Sequence, residues 1–274
     1  MGQAKIKKRS TAEFMRNFPL CSLCGGDNPT TTREHMPPRA MFDNKLRPDK
    51  LVMPACKECN HETSKADLVA SIISRWGHDK TPYPSADHEK LIAQAKIQAP
   101  ELVREWLWFA SPIMQLEARK RLEHTGIQRL LIGPQTFRQL NIFAHKVTLA
   151  LYFEHFKKPL SNKGRIRAVW RMKEDFNQKG VEPRSVGLTG KHGALIQGSW
   201  DTTKTFEYRY DPNATEDLFV FFARFRQNLF VAGFAAKNEN TLENALTDNP
   251  DLEGIWIMPR DLLGKNPHFD TKHR

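Results

Sequence analysis

The chain has no apolar run long enough to cross a membrane. The longest, Leu218-Phe219-Val220-Phe221-Phe222-Ala223, falls far short of the roughly 20 residues a spanning helix needs. The basic start, Met1 to Ser10, leads into no apolar segment and does not read as a secretory signal. Ile6 stands where a myristoylation pattern wants Ser or Thr. Cysteine is confined to four positions in 274, and thiols spaced as these are suit a reducing compartment. A cytoplasmic protein with no membrane partner is therefore expected. There is no internal repeat and no low-complexity tract. Acid is missing from one stretch: Lys157 to Lys173 holds seven basic residues and no acidic one.

What is present begins with charge. Lys and Arg number 42 against 31 Asp and Glu, a formal net charge of +11. Such a surface attracts polyanions, and phosphate contacts dominate nucleic-acid affinity. The four cysteines form two C-x-x-C pairs, Cys21-Ser22-Leu23-Cys24 and Cys56-Lys57-Glu58-Cys59. Each pair offers two thiolates, and together they complete one tetrahedral zinc site. Beside the pairs stand Glu34-His35, in the intervening stretch, and Asn60-His61, directly after the second pair. A zinc ribbon needs none of these polar residues for its structure.

In this combination, Cys21 and Cys24, then Arg33-Glu34-His35-Met36-Pro37-Pro38-Arg39, then Leu51-Val52-Met53-Pro54-Ala55-Cys56-Lys57-Glu58-Cys59-Asn60, the chain resembles the HNH or ββα-metal endonucleases in their zinc-knuckle form. The resemblance covers residues 20–70. It implies an acidic residue and a His at the end of one strand, a second strand, and a helix carrying Asn60. Many members have an Asn at the start of the second strand that orients the catalytic His. Here that neighbourhood reads Asp49-Lys50-Leu51, so orientation would fall to Asp49, to a backbone carbonyl, or to nothing.

The resemblance implies His35 as general base, with Glu34 and Asn60 as ligands of a catalytic Mg²⁺ or Mn²⁺ and His61 as a further candidate. Cys21, Cys24, Cys56 and Cys59 would hold a structural Zn²⁺, one per chain. The residue types suit phosphodiester hydrolysis. A neutral imidazole can take a proton from water, and hard cations prefer oxygen donors. Glu34 and His35 are neighbours, so on a regular strand they would point to opposite faces. Both can serve one site only if the chain turns there, as Pro37-Pro38 suggests. Arg39 and Lys65 are candidate phosphate contacts.

The organisation expected is α+β. An N-terminal zinc-bound ββα-metal module occupies residues 1–80, with a helix from about Glu58 to Arg75. A helical segment spans 81–158, entered by the Pro-containing linker Lys80 to Ser85. It includes a helix from Glu101 to Thr125, kinked at Pro112, and another from Gly133-Pro134 to Phe156. A β-rich domain spans 159–274. In it, Phe206, Tyr208 and Tyr210 alternate with polar residues, with Ala194 to Trp200 before them and Asp201-Thr202-Thr203 as a candidate hairpin turn. Leu218 to Arg226 and Leu229 to Phe234 read as paired strands or as a buried helix, and Gly254 to Met258 as a final strand. In the acid-free stretch, Arg165, Arg167, Arg171 and Lys173 would share one strand face while Ile166, Ala168, Trp170 and Met172 share the other. The first set would form a phosphate-binding stripe. These features together predict a metal-dependent endonuclease that cuts DNA, in restriction or anti-phage defence. RNA as the target is an alternative. So is a non-catalytic zinc ribbon that binds nucleic acid or protein. The C-terminal part could also carry a protein partner or a homodimer interface.

Overall fold

A computed structural model describes residues 11–76, 86–108, 132–178, 191–194, 196–197, 200–202, 204–248 and 254–262. It is a mixed α+β structure. Residues 11–17 form helix α1. Strand β1 (Thr32–His35) pairs antiparallel with β2 (Val52–Ala55), with His35 opposite Val52 and Glu34 opposite Met53. Helix α2 (Lys57–Ser74) follows at once. This gives the strand–strand–helix order expected for residues 20–70. The loop between the strands carries two single 3₁₀ turns, Arg39–Met41 and Asp43–Lys45. Helices α3 (Ala86–Gln98) and α4 (Pro100–Trp108) pack beside α2. The expected linker and the Pro112 kink lie outside the described residues.

The molecule is organised around α5 (Pro134–Phe156). Its Leu140, Phe143, Val147 and Leu151 repeat at helical spacing, but Ala144, Leu149, Ala150 and Phe153 are buried too. A helix that is apolar on nearly every side belongs inside a protein. One side of α5 lies on α2 and another on the sheet. Its N-terminus has Pro134 in the first turn, where a missing N–H is harmless. The Glu105 carboxylate of α4 accepts the N–H groups of Gln135 and Thr136. That borrowed carboxylate satisfies donors that the Gly133 N-cap has no side chain to reach.

Five described strands make the main sheet, in the order β3-β9-β8-β7-β4 and antiparallel throughout. They are β3 (Arg165–Met172), β4 (Lys191–Ala194), β7 (Phe206–Tyr210), β8 (Leu218–Phe225) and β9 (Leu229–Ala236). Between β4 and β7, β5 (Ile196–Gln197) and β6 (Trp200–Asp201) form a separate small ladder. The Leu218 and Leu229 segments are strands, turning through Arg226, Gln227 and Asn228. Phe219, Phe221, Ala223 and Phe225 alternate inward, so period two prevails over the coincidental helical spacing of Leu218, Phe222, Phe225 and Leu229. Strand β9 comes so close to α5 that a Cβ at Gly233 would lie 2.4 Å from Thr148 Oγ1. The expected final strand is only a bridge, Ile257 to Ile166.

A single buried cluster runs through all three expected segments, from Cys21, Met36 and Met53 through Phe143 and Leu151 to Phe219 and Phe225. Polar ties cross it as well. Asn228, in the β8–β9 turn, donates to the Ile73 carbonyl of α2. Arg226 donates to the Met41 carbonyl and pairs with Asp43 in the β1–β2 loop.

His145 of α5 is buried, and its Nδ1–H donates to the Asn141 carbonyl at 2.8 Å. Burial pushes its pKa from the usual 6.5 down to about 4. The unfolded chain therefore binds more protons between those values. The neutral ring's contribution is whole above about pH 6.5 and is lost as pH falls toward 4, on the order of 3 kcal/mol. Thermal melts from pH 7.5 to 4.5 should show this in the wild type. His145→Asn, which keeps a donor near the Nδ1 position, should shrink the acid loss. An identical pH slope in the variant would refute the assignment.

Candidate metal centre and the end of strand β1

Cys21 and Cys24 lie in the turn before β1, whereas Cys56 is the N-cap of α2 and Cys59 sits in its first turn. The β1–β2 ladder brings the two pairs together. All four are buried, with sulfurs within 4.8 Å of one another. Cys59 N–H and Asn28 Nδ2 both donate to Cys56 Sγ, at 3.4 and 3.8 Å. Crowding makes the sulfurs share protons. Hydrogen bonds from Cys21 and Cys59 hold the Cys24 thiol far down, and those to Cys21 and Cys24 push Cys59 far up. A soft cation that takes thiolates resolves that competition. The set can hold a metal ion such as zinc. The knuckle is also anchored to the body: Gly25 has φ +67°, and a Cβ there would strike Asn162, in the loop after α5.

His35 closes β1 and is half-buried. Its Nε2 lies 3.3 Å from a guanidinium nitrogen of Arg39. Arginine only donates, so Nε2 accepts and Nδ1 carries the proton. Burial, then the charges of Arg47, Arg39 and Arg33, lower the His35 pKa to about 4, against a smaller opposing pull from Asp49. The ring is neutral at pH 7 and stands in a strongly positive field. Arg39 also reaches Asp49 at 3.9 Å.

Glu34 faces the other way. It is buried, and Lys146 Nζ of α5 donates to its Oε1 at 2.9 Å. The same ammonium donates to Asp67 Oδ2 of α2 at 2.6 Å. Lys146 has no exposed surface. Burial alone would lower its pKa, but Asp67 and Glu34 together raise it, so it stays charged. Burial and then the Glu34 charge bring Asp67 up to about 7 despite Lys146. A buried cluster of this kind costs several kcal/mol in desolvation, and an apolar trio would serve stability as well. It lies on the face of β1 opposite His35.

Asn60 donates from Nδ2 to Thr32 Oγ1 at 3.1 Å, which turns its carbonyl oxygen away from that bond. Thr32 and Glu34 share one face of β1, while Arg33 and His35 share the other. The fold thus brings Asn60 to the Glu34 side and leaves His35 across the strand, at its open end. His61 is exposed on α2. Lys65 pairs with Glu101 of α4 at 2.8 Å. Beyond the cysteines, no three acidic or histidine side chains among the described residues converge on a ready metal cage. The donors at hand are Glu34 and the Asn60 carbonyl.

On β3, Ile166, Ala168, Trp170 and Met172 do face α5, and the Trp170 indole N–H donates to Asn141. Arg165, Arg167 and Arg171 lie on the opposite face. Arg165 is paired with Glu239, while Arg171 is exposed. Lys173 does not extend the row: β3 stops at Met172 and Lys173 opens the short helix α6 (Lys173–Gln178). Asp175 there accepts the Met172 N–H and ends the strand.

Sequence reasoning missed Lys146, Asp67 and Arg47. The signal for Lys146 was a charge placed between Phe143 and Val147 in an otherwise apolar helix. Compared with protein-family models, with curated proteins and with solved structures, the chain matches none.

Proposed function

We propose that the protein is a metal-dependent endonuclease that hydrolyses DNA phosphodiester bonds at the end of β1. The observation that carries this reading is His35. It is a neutral, half-buried imidazole whose Nε2 accepts from Arg39, set in the field of Arg33, Arg39 and Arg47 at the end of the strand that follows the first cysteine pair. A neutral imidazole can accept the proton of an attacking water. The exposed guanidinium of Arg39 beside it can stabilise charge on phosphoryl oxygens. Glu34, through the oxygen not bonded to Lys146, and Asn60, through its carbonyl, would hold Mg²⁺ or Mn²⁺, which would supply Lewis-acid stabilisation of the phosphate; because both lie across β1 from His35, the ion and the base would have to meet one phosphate around the open end of the strand. The cysteines would hold structural zinc. The test is nicking of supercoiled plasmid by the full chain with added Mg²⁺ or Mn²⁺. No nicking under any divalent ion would overturn the proposal.

A non-catalytic zinc-bound adaptor is favoured by one observation: Lys146 already occupies an oxygen of Glu34. The same assay separates the two, since an adaptor binds plasmid without cutting it.

DNA binding would extend to the outer face of β3. Replacing Arg167 and Arg171 with Ala should weaken binding for every sequence tested. It should also flatten the logarithmic salt slope by about 0.9 for each phosphate that is no longer neutralised. Arg165 is left out because Glu239 holds it. An unchanged slope in a folded double variant would make this row a charged edge that discourages sheet-to-sheet association.

A further inference from the structure

The β1–β2 loop is built around Arg47. Its side chain is buried, and its bonds go to carbonyl oxygens alone. Nε donates to Pro37 O at 2.7 Å, one terminal nitrogen to Pro48 O, and the other to Met36 O and Leu51 O, both at 3.0 Å. Met36 and Pro37 directly follow His35, and Leu51 directly precedes β2. Met36 N–H itself donates to Leu51 O at 3.1 Å. The guanidinium thus ties the exit of β1 to the entry of β2 at the point where His35 stands. The Phe42 ring lies against it, 5.9 Å from centroid to guanidinium carbon.

This arrangement is expensive. A buried cation bonded only to neutral carbonyls gains less than one paired with a carboxylate, and it loses its hydration. An apolar loop core would avoid that cost. What the guanidinium provides is a rigid planar fork able to hold four carbonyls from both ends of the loop in one geometry. A lysine ammonium, a point charge with three donors, cannot do this. Asp49, the candidate for orienting the His, is exposed and pairs with Arg39 at 3.9 Å.

We propose that Arg47 is the positioning residue for His35, fixing the backbone on which the imidazole is mounted and taking the place of an orienting side chain at the start of β2. This rests on the reading of His35 as the general base. Arg47 touches no reacting atom; it acts through the Met36, Pro37 and Leu51 carbonyls.

The test uses full-length wild type, Arg47→Lys and Arg47→Met in the plasmid-nicking assay, with zinc content and thermal melting measured alongside. Arg47→Lys should remain folded and zinc-loaded, keep its KM for plasmid, and lose roughly tenfold to a hundredfold in kcat, as small misplacements of a catalytic group do. Arg47→Met should lose more, and added methylguanidinium should restore part of its kcat. Wild type that nicks while Arg47→Lys keeps its full kcat overturns the positioning role and leaves the nuclease reading intact. Arg47→Lys that fails to fold or to hold zinc also overturns it, because Arg47 is then a staple of the fold. Wild type that never nicks overturns the nuclease reading and this inference with it.

Discussion

Replacing His35 with alanine should lower plasmid nicking by roughly 10²–10⁴-fold, the range for losing a general base. Plasmid binding and zinc content should stay near wild type. The expectation follows from where the ring stands. It closes β1, half-buried, with Nδ1 protonated and Nε2 accepting from Arg39. The side chain is not part of the buried core, which runs through Met36, Met53 and α5, so truncation should leave the fold standing. Arg39, exposed beside the ring, remains in place to bind phosphate. Loss should therefore appear in kcat with little change in KM, as for a group whose contribution is made in the transition state. The measurement is initial nicking rate against plasmid concentration at fixed Mg²⁺ for both proteins. An alanine variant that cuts as fast as wild type would remove His35 from the mechanism.

How much of this was legible beforehand depended on the range of the interaction. The cysteine pairs announced themselves because a C-x-x-C turn is local, and one tetrahedral ion forces distant turns together. The alternation in β3 and β7 was equally local, since a strand that buries one face must repeat every second residue. Lys173 was misplaced for a physical reason. Its side chain continues the alternation, but the Asp175 carboxylate caps the Met172 N–H and starts a helix instead. Arg47 could not be read at all. Between Leu46 and Pro48 it looks like any surface arginine, and its role exists only once the loop closes over it. Lys146 and Asp67 reach Glu34 across 112 residues of sequence in one case and from a different element in the other. Those meetings depend on how α5 packs against α2, which no single segment encodes. The same packing explains why the ββα unit does not stand apart: α5 supplies a partner of Glu34, and Arg226 of the β8–β9 turn joins Arg75 on Asp43.

The four-cysteine cluster should govern whether that shared core exists. Replacing Cys56 with serine should abolish zinc binding and the cooperative melting transition together. The substitution isolates the metal. Cys56 is the N-cap of α2, and its sulfur accepts the Cys59 N–H. Serine is among the best N-cap residues, so the cap is preserved while one thiolate is lost. Apparent zinc-binding free energies in small zinc modules are about 10–16 kcal/mol, as large as the roughly 5–15 kcal/mol that stabilises a whole domain. Removing one thiolate of four should therefore cost more than the fold can spare. The damage should spread, because Cys21, Cys24, Cys56 and Cys59 belong to the same buried cluster as α5 and the sheet. Metal analysis of carefully prepared wild type should give one zinc per chain, with Zn–S distances near ~2.3 Å by X-ray absorption. A strong chelator should reproduce the effect of the substitution on wild type. Wild type that melts unchanged after complete zinc removal, or Cys56→Ser that keeps both its zinc and its melting temperature, would show that the thiols are only a packed apolar cluster and that the ββα unit stands without metal.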